Sequence, residues 1–158
     1  MEGYESHRLV LVGQRGPRET LDDYDHLVEL VTSLGLTDKV DFTGYVSQEQ
    51  LASYFQYALG YVFPSSNEGF GLPVLEAFSF GLPVIISRQG ALMEVAGDAA
   101  LILEKNEEES LIQSMKLLVD DPELRKELGE KGRIRLQEFS AEKFFLSLEQ
   151  AFIEILKR

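Results

Sequence analysis

The segment best equipped for chemistry is residues 64–76, which read PSSNEGFGLPVLE. Gly69 and Gly71 allow backbone N–H groups to approach a ligand closely, because glycine has no Cβ. Pro73 suits the first turn of a helix, where its missing N–H would be unpaired in any case. A helix that begins directly after such a loop presents free N–H groups and a partial positive charge. The segment is therefore typical of a phosphate-binding loop.

Two carboxylates accompany this loop. Glu68 lies in the loop itself, and Glu76 follows eight residues later in the first turns of the predicted helix. One carboxylate can accept hydrogen bonds from two hydroxyls, so the pattern indicates a ligand with a phosphate and vicinal diols, as in a nucleotide sugar. The residues leave a structural alternative open, in which the glycines only permit a turn and the carboxylates only favour the helix dipole.

The elements that must position this segment alternate between strands and helices. Short aliphatic and β-branched runs predict strands, and apolar residues at helical spacing predict the helices between them. Such alternation is typical of a parallel α/β sheet, and right-handed crossovers give it a doubly wound, Rossmann-like topology. Predicted strands are 7–12, 40–45, 59–63, 83–87 and 100–103, and predicted helices are 20–34, 47–55, 73–81, 92–95, 107–119, 122–136 and 140–156.

Ligands bind beyond the carboxyl ends of the strands in sheets of this kind. The segments that follow strands in this sequence are 13–19, 44–47, 64–72 and 87–92. We therefore expect any site to be built from these four segments.

Composition excludes several classes of function. The 158 residues include 15 Lys and Arg against 27 Asp and Glu, a net charge of −12 that disfavours non-specific nucleic-acid binding. Cysteine is absent, which excludes disulfides, thiolate metal sites and cysteine nucleophiles. No apolar run reaches 18 residues and the N-terminus is acidic, so we expect a single cytoplasmic domain, residues 1–158, without a membrane span.

The stretch EGFGLPVLE, from Glu68 to Glu76, resembles the Glu-x7-Glu motif of retaining GT-B glycosyltransferases of the group 1, family 4 type. The resemblance extends through LVLVGQRGP, FTGYVSQEQLASYF, AFSFGLPVIIS and ALMEVAGDAALIL, about residues 7–120. It implies the donor-binding, C-terminal domain of such an enzyme, a Rossmann-like half of a GT-B fold with C-terminal helices.

The resemblance also implies roles for individual residues. Glu76 would hold the ribose hydroxyls of the nucleotide, and Glu68 would hydrogen-bond the donor sugar and is the catalytic candidate. Backbone amides of the glycine loop would contact phosphate and sugar oxygens, and the main chain at 45–46 would face the base. The donor-binding residues implied in this way are Gly13, Tyr45, Val46, Glu68, Gly69, Phe70, Gly71, Leu72 and Glu76.

The implied reaction is retaining transfer of a hexosyl group from a UDP-, GDP- or ADP-sugar to an acceptor. In this family the leaving diphosphate helps to deprotonate the acceptor, so the resemblance requires no protein base, no cofactor and no metal. Asp23-Tyr24-Asp25 spells a metal-binding signature of another glycosyltransferase fold, but acids in a helix's first turn are expected from the dipole alone.

One departure concerns charge. The family carries an Arg and a Lys just before the part that matches residue 7, where they neutralise the donor's diphosphate. This sequence starts after that pair and after the N-terminal acceptor domain, so we expect the chain alone to be inactive. Arg15 and Arg18 lie at the same end of the sheet, where they either reach a phosphate or remain solvated loop charges.

Two alternatives stay open. The chain could be a non-catalytic nucleotide-sugar or protein-interaction module of the same fold, or part of an enzyme like the nucleotide-sugar 2-epimerases, whose match to residues 68–76 is poorer. The final helix also carries an aromatic stripe that includes Phe144, Phe145, Leu148 and Phe152. An unpartnered stripe of this kind could mediate self-association.

Overall fold

The protein is described by a computed structural model that covers residues 4, 6–15, 23–104 and 107–157. The chain divides into two compact units, Met1–Ala52 and Ser53–Arg158. The single domain expected from the sequence stays a prediction.

The first unit is a β-α-β arrangement. Its elements are β1 (Leu9–Val12), α1 (Tyr24–Ser33), β2 (Val40–Gly44) and the first residues of α2 (Gln48–Tyr57). The two strands are parallel, with Leu9 opposite Val40. Arg8 and Asp41 connect the two strands through a bidentate ion pair, with hydrogen bonds of 3.0 and 2.7 Å.

Both helices of this unit begin at recognisable signals. Ser47 and Gln50 form a capping box: Ser47 N–H donates to Gln50 Oε1 at 2.9 Å, and Gln50 N–H donates to Ser47 Oγ at 3.2 Å. Helix α1 begins at Tyr24 with Asp23 as its N-cap, and the first residues of the predicted helix, 20–22, lie outside the described residues. The ring of Tyr24 packs edge-on against Phe42, with 5.3 Å between the centroids.

The second unit contains three parallel strands in the order β3-β4-β5, with Tyr61 opposite Val84 and Val84 opposite Ala100. A helix lies between each strand and the next along the chain, so the strands form two successive β-α-β crossovers. The elements are β3 (Tyr61–Phe63), α3 (Leu72–Ser79), β4 (Val84–Ile86), α4 (Gly90–Ala96), β5 (Ala100–Ile102), α5 (Glu108–Asp120), α6 (Pro122–Leu136), a 3₁₀ turn (Gln137–Phe139) and α7 (Ala141–Leu156).

The predicted α/β class with parallel strands is confirmed. Within the described residues, β1 pairs with β2 in the first unit, and β3, β4 and β5 pair in that order in the second. Hydropathy marks where strands occur, whereas sheet membership depends on which backbones exchange hydrogen bonds.

The core of the second unit lies between the sheet and its helices. Phe78, Ile85, Ile86 and Leu92 are completely buried. Helix α6 approaches α3 closely, because Gly132 brings its backbone against the ring of Phe78. A Cβ at Gly132 would lie only 2.6 Å from Phe78 Cδ1.

This close approach makes Gly132→Ala a test of the packing. Although alanine is the better helix former by about 1 kcal/mol, we expect overpacking against Phe78 to lower the free energy of unfolding by about 1–3 kcal/mol. The thermal midpoint should then fall by roughly 2–4 °C per kcal/mol. Gly90→Ala is the matched control, because a Cβ at Gly90 meets nothing within 4 Å. Equal midpoints for the two variants would contradict the packing argument.

Candidate functional site

The loop between β3 and α3 has two glycines with different structural roles. Gly71 has φ +103°, and a Cβ there would lie 2.7 Å from Leu92 Cδ2, so both its conformation and its packing require glycine. A Cβ at Gly69 would meet nothing within 4 Å. The fold therefore explains Gly71, whereas the space beside Gly69 is open to a ligand.

The N-terminus of α3 is the point at which this loop could bind an anion. Its N-cap is Gly71, which supplies no side-chain hydrogen bond to the helix. Gln89, Asp121 and Ser140, the N-caps of α4, α6 and α7, each accept a hydrogen bond from a backbone N–H of their helix, whereas the N-cap of α1 resembles that of α3 in accepting none. In the first turn of α3, Pro73 has no N–H and Val74 N–H donates to the Gly71 carbonyl at 2.9 Å, so an outside acceptor could meet the N–H of Leu72 and the helix dipole.

The two carboxylates flank that N-terminus. Glu68 is half-buried in the loop, and Glu76 is exposed on α3. The first turn of α3 contains no acidic residue, so Glu76 lies one turn further along. Because dipole effects fall off within the first turn, the helix dipole does not account for the position of Glu76.

Tyr61, on β3, is affected by both carboxylates. Burial raises the pKa of its hydroxyl to about 12, and the negative charges of Glu76 and Glu68 add to the shift. Both carboxylates therefore act on the same hydroxyl. Tyr61 is not among the residues proposed from the sequence, because a tyrosine in a predicted strand indicates only core packing.

Three side chains from other segments hold the loop. Ser87 Oγ donates to the Ser65 carbonyl. Gln89 Nε2 donates to the Glu68 carbonyl at 3.1 Å. The ring of Phe70 meets Phe139 edge-on, with 5.9 Å between the centroids. The segment 87–92, expected from the strand-end rule to border a site, contributes the first two.

The remaining predicted site residues lie in the first unit, at the carboxyl ends of β1 and β2. Gly13 follows β1, and its N–H donates to the Gly44 carbonyl at 3.2 Å. Tyr45 follows β2 and is 80% exposed, and Val46 is half-buried. The roles implied for Gly13, Tyr45 and Val46 stay predictions.

A cleft of about 250 Å³ in the first unit contains Gly13 and Arg15. The guanidinium of Arg15 pairs with Asp25 and lies 4.4 Å from the ring centroid of Tyr24. Both of these partners of Arg15 belong to the first unit. Arg18 lies outside the described residues.

Neither metal clusters nor membrane spans occur in the part of the chain that the structure describes. No three His, Cys, Asp or Glu side chains there form a group that could hold a metal ion. No helix within the described ranges is long and apolar enough to cross a membrane.

The glycine loop and its helix agree with the family that matches this chain. The model of the family described as "Glycosyl transferases group 1" matches residues 3–135. The chain belongs to this family. The match covers both units and includes every residue proposed above for the site.

Individual relatives extend this comparison. The chain is 35% identical over 142 residues to O-antigen chain mannosyltransferase B of Escherichia coli, covering 90% of this chain and 36% of that protein. Among solved structures, sucrose-phosphate synthase from Thermosynechococcus elongatus is 31% identical with a TM-score of 0.78, over 95% of this chain and 39% of that one. The chain thus spans little more than a third of the length of these relatives.

A third comparison concerns the fold alone. Anabaena HepE, crystallised in complex with UDP and glucose, matches 95% of this chain and 40% of its own with a TM-score of 0.75 and 24% identity. These structures confirm the GT-B type of fold expected from the sequence.

The raised pKa of Tyr61 predicts a specific dependence of stability on pH. The folded state keeps the hydroxyl proton up to about pH 12, whereas the unfolded chain loses it near pH 10. The stabilisation is fully present below pH 10 and is lost as pH rises through 12, so the free energy of unfolding falls across this window. In denaturant unfolding between pH 9 and 12, the free energy of unfolding should decline less steeply with pH for Tyr61→Phe than for the parent.

Tyr57→Phe, at an 80% exposed tyrosine, is the control for loss of a hydroxyl. Parallel curves for the parent and Tyr61→Phe would contradict the assignment of a raised pKa to Tyr61.

Proposed function

We propose that this chain is the donor-binding part of a retaining glycosyltransferase and that it holds a UDP-, GDP- or ADP-sugar. The observation that carries the proposal is the N-terminus of α3, which lacks a side-chain cap and is flanked by Glu68 and Glu76. A phosphate would accept hydrogen bonds from the backbone N–H groups of Gly71 and Leu72, and the two carboxylates would accept hydrogen bonds from hydroxyls of the same ligand.

The comparisons support a nucleotide sugar as the ligand. O-antigen chain mannosyltransferase B and sucrose-phosphate synthase both carry names of sugar-transferring enzymes, at identities above 30%. The fold itself accommodates such a ligand, since HepE was crystallised with UDP and glucose.

The roles of the two carboxylates follow from their places relative to the helix. Glu76 lies on the ordered helix and binds the ribose, which is shared by every nucleotide donor. Glu68 lies in the loop and binds the transferred sugar. Gly69 provides the space in which the sugar and diphosphate pass close to the backbone.

In the proposed reaction the bond between the anomeric carbon and the diphosphate breaks, and the acceptor oxygen bonds to the same face of that carbon. The leaving diphosphate takes the acceptor's proton, so no side chain of this segment acts as a base. The backbone N–H groups at the start of α3 stabilise the negative charge that develops on the diphosphate. The proposal requires no metal ion, because these N–H groups would share that task with the basic pair that the family resemblance implies.

The acceptor belongs to a part of the enzyme beyond this segment. We therefore expect the 158-residue chain to bind donor without transferring the sugar. Nucleic acid is not expected as a partner at a net charge of −12. Self-association through the exposed rings of Phe144, Phe145 and Phe152 stays a prediction.

Substitution of the two carboxylates tests their roles separately. Glu76→Gln should weaken binding of both the free nucleotide and its sugar conjugate by about 10–100-fold, the value of a hydrogen bond to a charged group. Glu68→Gln should weaken only the sugar conjugate by a similar factor. Titration calorimetry with UDP, GDP, ADP, UDP-glucose, GDP-mannose and ADP-glucose measures both effects.

Glu130→Gln, at an exposed position on α6, controls for the change of charge. Failure of the parent chain to bind any of these six ligands would overturn the proposed function. Equal affinities for the parent and both variants would overturn the assignment of the carboxylates.

A further inference from the structure

Gln89 bridges the start of α4 to the loop of the candidate site. The residue is half-buried in the turn between β4 and α4. Its Oε1 accepts a hydrogen bond from Leu92 N–H at 3.0 Å, which caps the helix. Its Nε2 donates to the carbonyl of Glu68 at 3.1 Å, across 21 residues of chain. A single amide therefore joins the two segments.

The contacts around Gln89 show that this turn supports the whole loop. Ser87 N–H donates to the Phe63 carbonyl at 3.4 Å, and Ser87 Oγ donates to the Ser65 carbonyl. Leu92 lies against the backbone of Gly71, at the other end of the loop. Among these contacts, the hydrogen bond from Gln89 is the one that reaches Glu68, at its main-chain carbonyl.

Glu68 needs such support because of its neighbour. Gly69 has no packing contact at the place of a Cβ, and glycine restricts the backbone less than any other residue. Beyond it, Phe70 is held by the ring of Phe139. The bond from Gln89 therefore defines the backbone on the N-terminal side of Gly69.

We propose that Gln89 is a positioning residue, which fixes the backbone of Glu68 so that its carboxylate meets the sugar of a bound nucleotide sugar. The proposal rests on the proposed function. Gln89 acts through Glu68 and does not touch the ligand. Loss of its bond should therefore reduce the affinity gained from the sugar and leave binding of the free nucleotide unchanged.

The chemistry of an amide allows the two roles of Gln89 to be separated. Gln89→Asn keeps an oxygen that can cap α4, as asparagine is a preferred N-cap, but its side chain is one methylene too short to reach Glu68. Gln89→Glu keeps both the length and the capping oxygen but has no N–H to donate to the Glu68 carbonyl. The variants share the loss of one hydrogen bond and differ in charge.

The test compares a nucleotide with its sugar conjugate in the 158-residue chain. UDP, GDP, ADP, UDP-glucose, GDP-mannose and ADP-glucose are titrated first into the parent, and the pair with the largest gain from the sugar is used. We expect both variants to bind the free nucleotide within twofold of the parent. We expect them to bind the sugar conjugate 5–10-fold more weakly. Gln56→Glu, at an exposed position on α2, is the matched control for added charge.

The outcomes distinguish this inference from the proposed function. A parent chain that binds none of the six ligands, or gains nothing from the sugar, overturns the proposed function. A parent that gains affinity from the sugar, with both Gln89 variants retaining that gain, overturns the role of Gln89 alone. An equal loss for nucleotide and conjugate also overturns it, because that result indicates a general disturbance of the loop.

A double variant provides a second check. In the Glu68→Gln background, Gln89→Asn should cause no further loss of affinity for the conjugate, because Gln89 acts only through Glu68. Fully additive losses would contradict the proposal. Thermal unfolding of every variant identifies any that fails to fold, and the proposal is then judged on the other Gln89 substitution.

Discussion

The close approach of α6 to the end of α3 is the constraint on which the second unit depends. A Cβ at Gly132 would meet Phe78, and a Cβ at Gly129 would lie 2.3 Å from the carbonyl oxygen of Gly81. Because that neighbour is backbone, it cannot move aside as a flexible side chain can. Helix α3 begins at the candidate site, so two glycines more than 50 residues downstream in the chain help to hold the site in place.

Arginines on α6 complete this arrangement by binding the ends of the neighbouring helices. Arg133 Nη2 donates to the Phe80 carbonyl at 3.0 Å, at the end of α3, and Arg135 Nε donates to the Val95 carbonyl at 3.0 Å, in α4. Arg125 donates to the Val119 carbonyl at 2.9 Å, near the end of α5. Each cation meets the negative end of a helix dipole. At the opposite end of α3, the positive end of the helix dipole has no side-chain cap.

Local signals predicted much of this fold, and long-range contacts account for what they missed. The capping box at Ser47 and the N-caps Asp121 and Ser140 depend on neighbours within three residues, so the sequence predicts them. The bond from Gln89 to Glu68 has no such signal, because glutamine is not a usual N-cap and its second partner lies 21 residues away. The pairing of strands, such as Val84 with Ala100, likewise joins residues far apart in the sequence. The positions of Glu68 and Glu76 came from a motif, whereas their shared effect on Tyr61 required the structure.

The charges of this chain explain why, under the proposed function, binding of the donor can be separated from transfer of the sugar. The chain has a net charge of −12, and under the proposed function it presents two carboxylates to a ligand that is itself an anion. Its favourable groups for the diphosphate are neutral backbone N–H groups, strengthened by the dipole of α3. Such groups can hold a phosphate that is already present, but they supply less stabilisation than a cation to a leaving diphosphate whose charge is growing. Arg15, the nearest sequence candidate for that cation, is already paired with Asp25. Under the proposed function, this segment therefore selects and orients the donor, and the departure of the diphosphate depends on the basic pair that the family resemblance implies.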